Sequence, residues 1–150
     1  MKQKIFLGSD HAGFELKEEI KKYLKSLNFE VEDEGPHKLD HEDDYPDFIV
    51  PVAKKVAQDP KNHRGIIFGA SGQGEAIAAN KIKGVRAALY YGGNIDIVRL
   101  SRTHNNANIL SIGARFLKKD EAIEAIKIWL NTDFSNEAKH IRRINKIDGI

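Results

Sequence analysis

Short apolar segments alternate with amphipathic ones along the chain, and this alternation limits the possible folds more than any other feature. The apolar pattern predicts strands at residues 4–8, 29–34, 65–68, 85–90 and 109–112. Apolar residues at helical spacing predict helices at 13–26, 48–56, 94–102, 120–130 and 136–147, and a further helix that follows the glycine-rich segment 69–74 and ends at about residue 80. Strands separated by helices indicate a parallel sheet with helices on both faces. We therefore expect an α/β protein: a three-layer, Rossmann-like fold with a five-stranded parallel sheet and a C-terminal helix.

Length and composition narrow the class of protein. A chain of 150 residues, 41% hydrophobic and 31% charged, predicts one globular domain over residues 1–150. The net charge is only +2, and most basic residues are spread along the chain. A nucleic-acid-binding surface usually has concentrated basic residues, so this distribution argues against a nucleic-acid partner. The absence of cysteine excludes disulfides, thiolate nucleophiles and cysteine-based metal sites. We expect no signal peptide, no membrane association and a cytoplasmic location.

A glycine-rich turn lies between the third predicted strand and its helix. The sequence from Gly69 to Glu75 reads Gly-Ala-Ser-Gly-Gln-Gly-Glu. Such a turn lets backbone N–H groups converge on an anion, and Glu75 adds a carboxylate at its end. Anion-binding donors beside a base suit proton abstraction next to a carbonyl, because the enediolate must be stabilised where it forms.

Further polar residues are predicted near strand ends. Asp10 and His11 follow the first strand, and Arg115 follows the fifth. We group with them the loop that carries His104 and Asn105, which precedes the fifth strand. Because ligands of parallel α/β folds bind beyond the carboxyl ends of the strands, we expect these residues to form one site.

Several motifs together resemble one enzyme family over essentially the whole chain. They are Ser-Asp-His-Ala-Gly at 9–13, Asp-Tyr-Pro-Asp at 44–47, Gly-Gln-Gly-Glu at 72–75, Ile-Ala-Ala-Asn-Lys at 77–81, Arg102 with His104-Asn105, and Gly-Ala-Arg at 113–115. In this order they are similar to type B ribose-5-phosphate isomerases, a family that includes galactose-6-phosphate and allose-6-phosphate isomerases.

The resemblance implies interconversion of an aldose and a ketose phosphate through a cis-enediolate, without a metal or cofactor. It also implies a homodimer or tetramer whose active sites are shared between subunits. Many family members carry a cysteine base at the start of the glycine turn, where this chain has Gly69. The chain therefore resembles the cysteine-free branch, in which a glutamate at the position of Glu75 is the base.

The resemblance also assigns roles around the sugar. His104 is implied as the acid/base for ring opening, with Asp10 assisting at a neighbouring hydroxyl. Asn105 is expected to hydrogen-bond a substrate oxygen, and Tyr45 to pack against the sugar. The enediolate oxygen is expected to bind the backbone of the glycine turn, formed by Gly69, Ser71, Gly72 and Gly74.

Cations are implied at the phosphate end of the substrate. Arg115 and Arg143 match two family arginines, and His11 is expected to face the same phosphate. Lys139 stands where the family has a third arginine, so it supplies charge without a bidentate fork. Because Lys139 and Arg143 are four residues apart, they share one helix face.

Other interpretations remain open at the level of sequence. The enzyme class includes related sugar phosphates such as allose 6-phosphate, and a non-catalytic sugar-phosphate-binding module is a different class. A dinucleotide-binding module is disfavoured, since the turn reads G-x-x-G-x-G and no acidic residue follows the next strand. The segment 37–44 contains His and Asp residues of the metal-ligand type, but we favour a solvated acidic loop over a metal site.

Overall fold

The computed structural model describes residues 3–150 as a single parallel sheet with helices around it. The strands are β1 (Lys4–Ser9), β2 (Glu30–Asp33), β3 (His63–Gly69), β4 (Ala87–Tyr90) and β5 (Ile109–Gly113). The helices are α1 (Phe14–Ser26), α2 (Pro46–Gln58), α3 (Gln73–Ala79), α4 (Asp96–Thr103), α5 (Lys119–Asn131) and α6 (Ala138–Asp148). The strand order is β2-β1-β3-β5-β4, and every pairing is parallel. The three-layer α/β prediction is confirmed.

The sheet separates two apolar cores because successive side chains in a strand point to opposite faces. Alternate residues of β1 show this: Ile5 and Leu7 join one core, and Phe6 joins the other. Helices α1, α4 and α5 cover the first face, where Trp129 is fully enclosed. Helices α2 and α3 cover the second face. None of the helices among residues 3–150 is long and apolar enough to cross a bilayer.

Helix α6 lies outside these layers, against the segment that leads into β5. Its buried residues are His140 and Ile144, while the side chains of Ile141 and Ile147 are 39% and 47% exposed. The helix begins two residues later than the predicted residue 136, because Asn136 has a φ of 57°. A non-helical φ at that position ends the connection from α5 and lets α6 start in a new direction.

Strand β4 is shorter than the predicted 85–90 and begins at Ala87. The reason is local: the amide of Arg86 donates to Oδ1 of Asn108 (2.8 Å) rather than to a sheet carbonyl. Strand β3 is longer than predicted, since His63 and Arg64 pair with Lys4 and Ile5 of β1. The first residues of β3 are polar, so the apolar pattern did not indicate that they belong to the strand.

Candidate active site

Asp10 and the glycine turn meet at the carboxyl edge of the sheet, where β1 and β3 end side by side. The chain leaves β1 towards β2 and leaves β3 towards β4 and β5, so this is the point at which the winding of the sheet reverses. The amide of Asp10 donates to the Phe68 carbonyl (3.3 Å), and its Oδ1 accepts from the amide of Gly13 (3.0 Å). The Asp10 carboxylate is therefore fixed at the start of α1.

The carboxyl group of Glu75 lies directly over Gly69. A Cβ placed on Gly69 would coincide with the Glu75 carboxyl atoms, so the absence of a side chain there creates the space that Glu75 occupies. Glu75 is only 4% exposed although it is in the first turn of α3. The turn itself depends on Gly72, which has a φ of 76°, a conformation that other residues rarely adopt.

The environment of Glu75 favours its protonated form. Burial raises the pKa of the Glu75 carboxyl, and the negative charge of Asp10 raises it further, while a hydrogen bond from its own backbone amide opposes them. A carboxyl with a raised pKa is a stronger base once it is ionised. The arrangement therefore suits a group that must both accept and return a proton.

Residues 69–72 are held against the segment that follows β5. The amides of Ala114 and Arg115 donate to the carbonyls of Gly69 (2.8 Å) and Ala70 (3.0 Å), respectively. The Ser111 hydroxyl donates to the Gly72 carbonyl (2.7 Å). These bonds place the exposed Arg115 side chain at the same edge as Glu75.

Tyr45 closes another side of this site. Its phenol ring lies so close to Gly74 that a Cβ there would be 2.7 Å from the hydroxyl oxygen. Tyr45 precedes α2 and is 37% exposed, so part of its side chain is accessible to solvent. The Ser71 hydroxyl accepts from the amide of Gln73 (3.3 Å).

His11 is held by a residue that the sequence did not single out. Its Nδ1 lies 2.7 Å from Oδ1 of Asp43, and its amide donates to the same oxygen (3.2 Å). The His41 ring packs edge-on at a centroid distance of 5.7 Å. The bond to Asp43 raises the pKa of the His11 imidazole, the nearby charge of Asp10 acts in the same direction, and Arg115 opposes it.

The expectation of a solvated acidic loop over 37–44 does not hold for Asp43, whose side chain is 4% exposed. The sequence carried no signal for this contact, because 32 residues separate His11 from Asp43. Among residues 3–150 no group of three or more His, Asp or Glu side chains is placed to hold a metal ion.

The remaining predicted residues lie at the other edge of the sheet. His104 ends α4, and its ring stacks on His140 at a centroid distance of 4.3 Å and an interplanar angle of 19°. His140 is buried, and its Nε2 has no hydrogen-bond partner among the described residues. The positive charges of Lys139 and Arg143 contribute to a lowered pKa of His140, after burial and His104, so both lie near this pair.

Within one subunit, therefore, His104 and Asn105 do not join the strand ends with which the sequence grouped them. Their loop precedes β5, whereas Arg115 follows it, so the length of a five-residue strand separates them. At 3.3 Å per residue this is roughly 15 Å. Within one chain the structure brings together Asp10, His11, Tyr45, Gly69, Ser71, Gly72, Gly74, Glu75 and Arg115, but not His104, Asn105, Lys139 and Arg143.

Comparison with known proteins gives a consistent result. The model of the Ribose/Galactose Isomerase family matches residues 5–147. Ribose-5-phosphate isomerase B of Mycolicibacterium paratuberculosis is 40% identical over 142 residues, which cover 95% of this chain and 87% of that protein.

Solved structures agree with the sequence relatives. Ribose-5-phosphate isomerase B from Mycoplasma genitalium, determined with bound ribulose 5-phosphate, aligns with a TM-score of 0.94 at 41% identity, over 99% of this chain and 96% of that one. The enzyme from Thermotoga maritima aligns with a TM-score of 0.91 at 40% identity, over all of both chains. With this fold, this identity and a family match over nearly its whole length, the chain belongs to the ribose/galactose isomerase family.

Proposed function

We propose that this protein interconverts ribose 5-phosphate and ribulose 5-phosphate by metal-free proton transfer through a cis-enediolate. The single observation that carries the proposal is the buried Glu75 carboxyl over Gly69, beside a glycine turn at the carboxyl edge of the sheet. The named relatives and the ribulose-5-phosphate complex of the Mycoplasma genitalium enzyme support the choice of substrate.

In the proposed reaction Glu75 acts on the open-chain sugar. Its carboxylate takes the proton from C2 of the aldose, and the electron pair moves onto the C1 carbonyl oxygen to give the enediolate. Backbone N–H groups from Ser71 to Gly74 stabilise that negative charge. Glu75 then returns the proton to C1 while the O2 proton leaves for O1, so no external oxidant or reductant takes part.

Ring opening and phosphate binding complete the proposal. His104 acts as acid/base at the ring oxygen with Asp10 at a neighbouring hydroxyl, and Asn105 hydrogen-bonds a substrate oxygen. His11 and Arg115 bind the phosphate together with Lys139 and Arg143. Tyr45 packs against the sugar.

A second copy of the chain is part of this proposal. Glu75 and His104 lie at opposite edges of the same sheet, so one subunit does not bring them to one sugar. We propose a homodimer in which the His104 edge of one protomer faces the Glu75 edge of its partner. The exposed apolar side chains of α4 and α6, Ile97, Leu100, Ile141 and Ile147, are the contacts we expect at that interface.

The activity is tested by supplying ribose 5-phosphate to the purified protein in EDTA, with allose 6-phosphate in parallel. Turnover of the pentose supports the proposal. Turnover of the hexose alone would change the substrate and keep the mechanism. Inactivity on both, with binding still measurable, would favour the non-catalytic module.

The shared site is tested by mixing two inactive variants, Glu75→Gln and His104→Asn. In a mixed dimer one of the sites combines an intact Glu75 with an intact His104. Random subunit exchange should therefore restore about a quarter of the wild-type activity. A mixture that stays inactive after exchange has been verified would contradict the shared site and leave the isomerase assay untouched.

We also propose a cytoplasmic location. Sugar phosphates are charged and cross a bilayer only with a carrier, so their isomerase is expected where they are formed. Cell fractionation with an antibody to the protein checks this.

A further inference from the structure

Three arginines converge at the amino edge of the sheet, opposite the edge that carries Glu75 of the same subunit. Arg64 comes from the start of β3, Arg86 precedes β4, and Arg102 comes from α4. Arg64 and Arg102 are only 6% and 5% exposed. Burial, together with the charges of Arg64 and Arg86, lowers the pKa of Arg102 to about 10. Positive charge is therefore concentrated in a poorly solvated region.

Arg64 and Arg102 are held by uncharged groups, and the negative charges of Asp59 and Asp133 act on them only from beyond ion-pair distance. Arg64 donates to the backbone carbonyls of Pro60, Lys61 and His63 (2.8–3.2 Å). Arg102 donates to the carbonyls of Thr132 and Ala107 and to the amide oxygen of Asn106 (2.7–3.0 Å). Neither forms an ion pair with any of the residues 3–150. Buried charges are normally paired, so such a region favours an external anion.

A cavity of about 400 Å³ opens beside them. Lys61, Arg64 and Arg86 line it, against a single carboxylate, that of Asp148. Asn106 and Asn136 also line the cavity and provide amide groups. The volume lies within the range of small-molecule sites.

The one carboxylate among the residues that line the cavity is already paired with Arg86, where an anion would bind. Asp148 lies 3.2 Å from a terminal nitrogen of Arg86 and is 40% exposed. Asp148 is not among the buried residues of its helix, α6, which are His140 and Ile144, so an anion can replace its carboxylate without displacing a buried side chain. A phosphate group carries more charge than a carboxylate and matches the guanidinium fork in the same way.

We propose that this cavity binds a phosphate-bearing small anion, either inorganic phosphate or the phosphate group of a monoester, through Arg86 and Arg64 with Lys61 at its mouth. The occupant replaces Asp148 as the partner of Arg86. The site differs from the proposed substrate site, because none of the substrate-site residues at this edge lines the cavity; those residues are His104, Asn105, Lys139 and Arg143.

The cavity is connected to a segment that the proposed reaction uses. Nε of Arg86 donates to the carbonyls of Asn105 (3.1 Å) and Asn106 (3.2 Å). An anion that changes the position of Arg86 therefore acts on the backbone that carries Asn105. This gives the bound anion a route to influence turnover at the partner's site.

The proposal is tested by titrating inorganic phosphate into the Arg115→Gln, Arg143→Gln double variant at low ionic strength, by calorimetry. These substitutions weaken binding at the substrate-phosphate position and leave the cavity intact. We expect binding to persist, to weaken about five- to tenfold on adding Lys61→Glu, and to tighten several-fold on adding Asp148→Asn. Both positions are partly or fully exposed, so the variants should fold.

The matched control is Lys54→Glu, which makes the same charge change on an exposed residue of α2 outside the cavity. It should leave phosphate binding within about twofold of the double variant. Loss of all binding in the double variant, or equal responses to Lys61→Glu and Lys54→Glu, would overturn the proposal.

A parallel titration with glycerol 3-phosphate separates the two sources of the anion. If glycerol 3-phosphate binds more tightly than inorganic phosphate, with the same dependence on Lys61, the site is assigned to a monoester. Tighter binding of inorganic phosphate assigns it to the free ion. A Lys61-independent response for both probes would contradict the site.

Discussion

The carboxyl group of Glu75 occupies the space that a side chain on Gly69 would fill. The Glu75 carboxyl group in this position and a side chain at residue 69 therefore exclude each other. The geometry gives a physical reason why a chain with Glu75 has a glycine, and not a cysteine, at position 69.

Gly69→Ala should displace Glu75 and lower kcat at least about tenfold, because the Cβ takes the position of the carboxyl group. The obstructed atoms belong to the end of a flexible side chain, so the variant should remain folded. Steady-state kinetics and a thermal melt measure both effects. Gly149→Ala is the control, since its Cβ would approach only to 3.3 Å from the Asn145 carbonyl. Normal kcat in Gly69→Ala would show that Glu75 is not the base.

Asp10→Asn should move the acidic limb of the kcat/KM–pH profile to lower pH. The negative charge of Asp10 raises the pKa of Glu75, so its removal lets Glu75 ionise at a lower pH. The plateau rate should fall as well, because the proposed ring opening uses Asp10. Asp120→Asn, on the exposed start of α5, should leave the limb in place. A shift to higher pH would contradict the electrostatic coupling.

Asp43→Asn should raise KM about three- to tenfold at pH 7.5 with little change in kcat. Asp43 raises the pKa of His11, so without it His11 loses its charge at lower pH and binds the substrate phosphate less well. KM should therefore begin to rise at lower pH in the variant than in the wild type. Asp44→Asn, on an exposed neighbour, is the matched control. An unchanged KM profile would remove His11 from the phosphate site.

Lys139→Arg should keep kcat and hold or lower KM, because a guanidinium fork binds phosphate at least as well as an ammonium. Lys139→Gln should raise KM several-fold through the loss of charge. Lys139 is 54% exposed and lies only 3.5 Å from Glu137, a surface pair that is easily exchanged for a ligand. Lys146→Gln on the same helix controls for net charge. A large rise in KM for Lys139→Arg would show that Lys139 does not face the phosphate.

Much of the fold could be predicted from local pattern alone. Apolar patterns indicate which side of each element is buried, as in the strand run from Ile66 to Phe68 and the helical spacing of Ile49, Val52 and Val56. The alternation of strands and helices then leaves few possible topologies. The predicted ends of elements were wrong where polar residues lie at those ends, as at Arg64 in β3 and Asn136 before α6.

The sequence by itself determined the α/β class, the glycine turn and the choice of Glu75 as the candidate base, because these depend on neighbours in the chain. Only the tertiary structure decided that Asp43 fixes His11, that Glu75 fills the space over Gly69, and that His104 lies at the opposite edge of the sheet. Contacts between residues far apart in sequence depend on strand order and direction, and the direction of β5 is what separates His104 from Arg115.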